Sequence, residues 1–333
     1  MRDMSETILV TGSTGFIGAR FLQKLAGEGA TIRIFLRLES KVGILLDSVE
    51  VVRGSFSDVE SLAEAVRGVD RIIHLAGVTK AHDEAGYVAG NVTPVKHLLA
   101  AVKLYNPGLK RFVYVSSLTA VGPALEGISG VKESDRPHPV SAYGRSKLQA
   151  EMVCMEHSAR TPVTIVRPPA VYGPGDKDVL QVFLMLSRGL LVTPGKVGKQ
   201  RFSMIYVDDL VDGILMAARS PQAVGRVYNI TSRCSWSWDD VITASQPLLG
   251  FGRLWKISLP QPLLFFIGSV IGAASFLGGT PPLINRDKVN ELVQDYWVCS
   301  SEQAQQDFGF TAGTTLVEGI ATTIEWYRLN GWL

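Results

Sequence analysis

Short apolar runs alternate with longer stretches of helical spacing through the first half of the chain. "TILVTG" is an apolar run that ends in glycine, and "GFIGARFLQKLAGEG" follows it with helical spacing, stopping at Gly27 and Gly29. "TIRIFLR" and "VEVVRGS" read as two further strands. "SDVESLAEAVRGV" reads as a helix with Ser57 or Asp58 at its N-cap. "DRIIHLAG" is a buried strand, and "YVAGNVTPVKHLLAAVKLYN" a helix in which Pro94 sits in an early turn or makes a kink. "KRFVYVSS", the helix "SAYGRSKLQAEMVCMEHSAR" and the strand "TPVTIVRP" complete the run. Apolar strands separated by helices of this length predict a parallel sheet covered on both faces. After "RPPAVYGPGD" the rhythm breaks. Residues 175–200 read as a helix, "VLQVFLMLSRG", and then a Gly-rich loop. "RFSMIYVDDLVDGILMAARS" returns to strand and helix, with Asp208 or Asp209 as cap, and "GRVYNITS" is a last short strand. From about Trp236 the pattern is less regular, and this part is expected to pack at the C-terminal edge of the sheet, where the ligand cleft of an open parallel sheet lies.

The first turn carries the first chemistry. "VTGSTGFIG" places Gly12, Gly15 and Gly18 after the first strand and at the opening of the first helix. Glycines there let the backbone turn tightly and approach a pyrophosphate seated on the helix N-terminus. The spacing is G-x-x-G-x-x-G, and its strand-to-helix context makes it a dinucleotide loop. At the end of the second strand, "IFLRLES", Arg37 stands where an NAD site has an acid for the ribose hydroxyls. A guanidinium suits a 2′-phosphate, so NADP is the expected cofactor, with NAD as the alternative. The predicted fold is therefore α/β: a doubly wound, Rossmann-like parallel sheet with a smaller C-terminal substrate-binding lobe. Residues 1–170 make the NAD(P)-binding domain, completed by return segments at about 201–232; residues 171–200 and 233–333 make the lobe.

"SAYGRSKLQAE" adds a second piece of chemistry. Tyr143 and Lys147 are one helical turn apart and share a face. An ammonium beside a phenol favours the phenolate, which suits proton transfer near neutral pH.

Composition narrows the class further. The chain has 333 residues, 46% hydrophobic and 19% charged, enough for a generous core. A net charge of +2 with no basic run argues against nucleic acid. Cys154, Cys234 and Cys299 are scattered, without metal-ligand spacing or a disulfide framework, so no metal is expected. The N-terminus shows no signal-peptide pattern. A cytoplasmic location is the expectation.

"TGSTGFIG", "HLAG" at 74–77, "YVSS" at 114–117, "YGRSK" at 143–147 and "RPPAVYGPGD" at 167–176 occur in one order, each at the end of a strand or the start of a helix. Together, down to "IYVDD" and "WYRLNGW", they resemble the extended short-chain dehydrogenase/reductase family, the NAD-dependent epimerase/dehydratase superfamily. The resemblance implies that Tyr143 is the general acid/base and that Lys147 holds the nicotinamide ribose and lowers the Tyr143 pKa. It implies that Ser117 hydrogen-bonds the substrate oxygen, with Ser116 as its structural neighbour. The implied cofactor set is Gly12, Thr14, Gly15, Phe16, Ile17 and Gly18; Arg37, Ser55 and Phe56; Leu75, Ala76 and Gly77; Asn91, Tyr143, Lys147 and Pro168. Many relatives have Asp in place of Ser55. His74 is read as a packing residue.

Three features bear on the substrate. Nucleotide-sugar members often carry Asn where Ala170 stands, and an Arg five residues before the valine of "Y-V-D-D"; Arg201 is six before Val207. One residue of slip reverses the face on a strand. Third, no charged residue lies between Lys256 and Arg286. The solid apolar core of that stretch is too short for a membrane span of about 20 residues. It reads either as a buried helix pair or as an apolar lid or peripheral membrane patch over about 257–285. The segment after it, "DYWVCSSEQAQQDFGF", resembles the 3β-hydroxysteroid dehydrogenase branch. The expected function is interconversion of a secondary alcohol and a ketone on an apolar, hydroxysteroid-like small molecule. The alternatives are a nucleotide-sugar epimerase or dehydratase with tightly bound NAD(P), and a non-catalytic NADP-binding sensor. Relatives often pair through the Tyr–Lys helix, so a homodimer is expected, with Met152, Val153 and Met155 as its apolar positions.

Overall fold

A computed structural model of the chain describes residues 6–40, 49–125, 130–194, 199–278, 282 and 284–333. It opens with β1 (Thr7–Thr11), α1 (Phe16–Glu28), β2 (Thr31–Leu36), β3 (Val49–Arg53), α2 (Val59–Val66) and β4 (Arg71–His74). The short α3 (Glu84–Tyr87), α4 (Thr93–Tyr105), β5 (Arg111–Val115), α5 (Ala142–His157) and β6 (Val163–Arg167) follow. Next come β7 (Ala170–Tyr172), α6 (Leu180–Ser187), β8 (Leu190–Pro194), β9 (Arg201–Tyr206), α7 (Val207–Arg219) and β10 (Arg226–Asn229). The remainder holds β11 (Ser235–Trp236), α8 (Trp238–Leu249), β12 (Trp255–Leu259), α9 (Gln261–Gly278), α10 (Arg286–Leu292), β13 (Tyr296–Trp297), α11 (Glu302–Phe308) and α12 (Leu316–Leu329).

Seven strands form one parallel sheet in the order β10-β6-β5-β4-β1-β2-β3. The order reverses between β1 and β4, and such a switch point opens a crevice at the strands' carboxyl ends. Alternation along the strands separates two core layers. Ile8 and Val10 face one side with Phe21 and Ile214, whereas Leu9 faces the other with Leu98 and Phe112. Each large apolar side chain buried this way contributes about 1.5–3 kcal/mol. Helix α1 ends at Gly29, whose φ of 72° is the left-handed closing turn that glycine accepts without strain.

The lobe has its own core, in which Tyr172, Phe183, Tyr206, Ile320 and Tyr327 meet. It contains the small sheet of β11, β9 and β13, with β7 paired to β9, and the parallel ribbon of β8 and β12.

One open alternative is decided and three local expectations are corrected. Pro94 lies in the first turn of α4, where its missing N–H costs nothing, and the preceding residues 88–92 form a π turn. The loop expected after α6 begins with β8, because Leu190–Pro194 pairs with Trp255–Leu259 far along the chain; the part of that loop at 195–198 lies outside the described residues. Neither Asp208 nor Asp209 caps α7. Asp208 pairs instead with Arg20 at 2.8 and 2.5 Å, and Asp209 accepts the backbone N–H groups of Gly313 and Thr314. The C-terminal part is regular, with Ser237 and Thr315 each closing a capping box at a helix start. On α5, Val153 is buried in the core while Met152 and Met155 are exposed.

Candidate active site

Gly12 has a φ of 75°, and a Cβ there would lie 2.5 Å from the Ala76 nitrogen and 2.7 Å from the Leu75 carbonyl carbon. A Cβ on Gly18 would lie 2.2 Å from the Gly12 oxygen. The two glycines therefore press the loop after β1 against both the loop after β4 and the opening of α1. Gly15 is the N-cap of α1, with no capping side chain and no acidic residue in the first turn. The helix N-terminus thus keeps free N–H groups and a positive dipole end beside the crevice, which fits a pyrophosphate. The cleft, about 540 Å³, is lined by Gly12, Gly15, Phe16, Ile17, Gly18, Leu75, Gly77, Asn91, Ser117, Tyr143, Lys147 and Pro168, among others. Thr14, Arg37, Ser55, Phe56 and Ala76 do not line it.

Thr14 is exposed in the loop between β1 and α1, and the other four occupy other places. Arg37 follows β2 and is exposed. The loop that holds it is tied down by Arg53, whose guanidinium donates to the carbonyls of Arg37, Leu38 and Ser40 at 3.1–3.4 Å. Ser55 accepts the Ser57 N–H within its own turn. Phe56 packs edge-on to Phe35 and His74, with its carbonyl 2.6 Å from His97 Nδ1. Ala76 donates its N–H to Thr11 Oγ1. His74 is fully buried, 2.7 Å from Thr11 Oγ1, and burial pushes its pKa down to about 3, with the Lys147 charge adding to the shift. It is a neutral packing imidazole.

Helix α5 brings the proton-handling groups together. Ser141 caps it by accepting the Gly144 N–H at 3.0 Å. A Cβ on Gly144 would lie 2.4 Å from the Thr119 oxygen, so glycine lets α5 press against the turn at 118–120 that begins with Ser117. Ser117 and the Tyr143 phenol consequently line the same junction, and the Ser117 hydroxyl lowers the Tyr143 pKa. Ser116 points the other way and donates to Glu151 at 2.5 Å. Asn91 spends both ends of its amide on the protein: it accepts the Val78 N–H at 2.8 Å and donates to Ser146 Oγ at 2.9 Å.

The expected coupling between Lys147 and Tyr143 is not what this geometry provides. Lys147 Nζ donates to the Val115 carbonyl at 2.8 Å and lies 4.6 Å from the Tyr114 ring centroid. Burial lowers its pKa to about 8. The Tyr143 phenol is pushed up, first by burial and then by the negative charge of Glu291, against a lowering by the Ser117 hydrogen bond.

Glu291 belongs to a group that the sequence reading missed. Ser141 donates to one Glu291 oxygen at 2.5 Å and Lys288 to the other at 2.5 Å, while Asp287 accepts the Ala142 N–H at 2.9 Å. Helix α10 thereby clamps the start of α5. The partners are about 150 positions apart in sequence, and "INRDKVNEL" carries no local signal of the contact.

A second cavity, about 380 Å³, meets the cleft at Ser117, Tyr143, Pro169 and Ala170. Val182, Phe183, Phe202, Met204, Trp238, Val241, Leu292, Trp297 and Ile320 make most of its wall. Lys288, Glu291, Gln200 and Arg201 also line it. Arg201 is turned to the Ser235 carbonyl and hydroxyl at 3.0 and 3.1 Å.

A glycine-lined cleft at the switch point, joined at a Ser–Tyr–Lys constellation to a closed lobe, defines a nucleotide-cofactor enzyme of the short-chain type. Residues 8–231 match the NAD dependent epimerase/dehydratase family, and the chain belongs to it. The chain is 30% identical to a ceramide reductase of Caulobacter vibrioides (strain NA1000 / CB15N), over 99% of this chain and 97% of that one. It is 25% identical to a UDP-glucose 4-epimerase of Vibrio cholerae, over 97% and 96% of the two chains. The structure of MoeE5 in complex with UDP-glucuronic acid and NAD superposes with a TM-score of 0.77 at 25% identity, covering 97% of this chain and 99% of that one.

Proposed function

We propose that the protein is an NAD(P)-dependent oxidoreductase that interconverts a secondary alcohol and a ketone on an apolar, lipid-like or hydroxysteroid-like substrate. The apolar cavity that meets Tyr143 and Ser117 carries this reading. Ala170 contributes no donor to it, and Arg201 is engaged with Ser235. The names of two relatives point the same way: the ceramide reductase, and a sterol demethylase protein B of Methylococcus capsulatus (strain ATCC 33009 / NCIMB 11132 / Bath), 34% identical over 51% of this chain.

The bound nicotinamide cofactor supplies a hydride acceptor or donor. The loop glycines and the α1 N-terminus would hold its pyrophosphate, and Gly77, Asn91 and Lys147, which line the same cleft, would hold the rest. Exposed Arg37 at the end of β2, in a loop that Arg53 holds in place, favours a 2′-phosphate, hence NADP. Ser117 and Tyr143 would hydrogen-bond the substrate oxygen, and Tyr143 would take its proton during oxidation or return it during reduction. The apolar wall excludes water and orients the substrate's ring or chain.

A second reading, a nucleotide-sugar epimerase with tightly held cofactor, is favoured by Arg201 and Lys288 at the cavity wall and by the Vibrio cholerae relative. One assay separates them. Purified protein is given NADP or NAD with apolar secondary alcohols or nucleotide sugars, and absorbance of reduced cofactor is followed. Net reduction with an apolar alcohol, faster with NADP, is the expected result. A changed sugar without net reduction overturns it.

Glu291 gives a pH prediction. Its charge disfavours the phenolate and so raises the Tyr143 pKa. Glu291→Gln keeps an acceptor for Ser141 and removes the charge, so the Tyr143 pKa falls. The rise of alcohol oxidation with pH, which follows Tyr143 deprotonation, should then begin at lower pH; an unmoved kcat/KM profile would count against Tyr143 as the titrating base.

A further inference from the structure

We infer that α9 and β12 form a docking surface for a lipid bilayer with anionic headgroups, next to the mouth of the apolar cavity. An ordinary surface helix buries its bulky apolar side chains and shows polar ones. Helix α9 does the reverse. Its closest approach to the protein is made by glycines, with Leu264, Phe265 and Ile267 half-buried beside them: a Cβ on Gly268 would lie 2.9 Å from Val289 and 3.0 Å from the Asn285 backbone, and one on Gly272 would lie 3.6 Å from Asn285. Leu263, Phe266, Val270 and Ile271 face outward, with Phe266 66% exposed and Val270 51%. Trp255 and Ile257 on β12 extend the patch. Ser269 and Ser275 donate to carbonyls of their own helix, Phe265 and Gly272, so neither hydroxyl needs water.

Charge supplies the partner's chemistry. No Asp or Glu occurs between Asp240 and Asp287, whereas Arg253, Lys256 and Arg286 do; Lys256 is paired with Asp239, so Arg253 and Arg286 are the cations that face a headgroup. Arg253 lies over the exposed Trp255 ring at 4.6 Å. An apolar surface with an aromatic and cations at its rim matches the boundary between acyl chains and anionic headgroups. The 18 residues of α9 rise about 27 Å. Among the described residues no helix is long and apolar enough to cross a membrane, so the helix lies on the surface. Residues 279–281 and 283 of the apolar stretch lie outside the described residues.

The same elements border the cavity. Pro194, on its wall, pairs with Leu259 just before α9, and Lys288, Glu291 and Leu292 on its wall belong to α10, against which α9 packs. A bilayer-borne alcohol or ketone would enter between them. That entry route rests on the apolar-substrate reading; the docking itself does not.

The test is flotation of the full-length protein with vesicles, without substrate. Vesicles of equal parts phosphatidylcholine and phosphatidylglycerol should carry the protein, and phosphatidylcholine alone should carry much less. Phe266→Asp with Val270→Asp should lower the bound fraction by about tenfold or more. Arg253→Gln with Arg286→Gln should lower it by about tenfold, on anionic vesicles only. All four positions are exposed, and circular dichroism with cofactor binding reports that each variant is folded. No flotation, or flotation unchanged by the apolar pair, overturns the inference. So does a dimer in light scattering that the apolar pair disperses while vesicles carry nothing, since a second copy then covers the surface. Failure of the substrate reading would leave flotation untouched.

Discussion

Tyr143→Phe should lower turnover by about 10²–10⁴-fold while leaving cofactor affinity nearly unchanged. The substitution removes one oxygen. The ring, whose centroid lies 6.0 Å from that of Tyr87, keeps its packing. The hydroxyl is the group that meets Ser117 where the cleft and the cavity join. In the proposed reading cofactor recognition is spread over the glycine loop, Gly77 and Lys147, which line the cleft and which the substitution leaves in place. Steady-state rates in both directions, with cofactor titration by fluorescence, make the measurement. Wild-type turnover in the variant would remove Tyr143 from the chemistry.

The second large effect is on stability. Arg167, the last residue of β6, and Glu151, on α5, form a bidentate pair at 2.9 and 2.6 Å, with both side chains about 5% exposed. Ser116 adds a third bond to Glu151. Glu151→Leu would leave the Arg167 guanidinium buried without its partner, and should cost about 3–5 kcal/mol in urea unfolding. The double variant Glu151→Leu with Arg167→Met should recover most of that loss, because the penalty comes from the uncompensated charge more than from the absent pair. Equal losses in the single and double variants would refute this account. Because Glu151 also anchors Ser116, the double variant should still show lowered activity through displacement of the neighbouring Ser117.

The parallel sheet was legible because its strands are buried on both faces and separated by helices of regular spacing. The order of the seven strands, with its reversal between β1 and β4, is a tertiary outcome, whereas the glycine loop was legible because its three positions act locally, within one turn. The Tyr143–Lys147 pair shared a helix face for the same reason. Other parts were hidden because they depend on contacts between distant residues. Lys147 turned to the Val115 carbonyl and the Tyr114 ring, so proximity on one helix face did not set the Tyr143 pKa. The ribbon of β8 and β12 joins segments more than sixty residues apart and left no periodic trace strong enough to read.

By itself, then, the sequence determined what short-range physics controls: the α/β rhythm, the glycine turn between β1 and α1, and the Tyr–Lys face. Tertiary structure decided which carboxylate tunes Tyr143, that α10 clamps the start of α5, and that α9 approaches α10 through its glycines and turns Phe266 and Val270 outward. Those outcomes follow from packing between elements, where a side chain's neighbours come from another part of the chain and its own sequence surroundings do not name them.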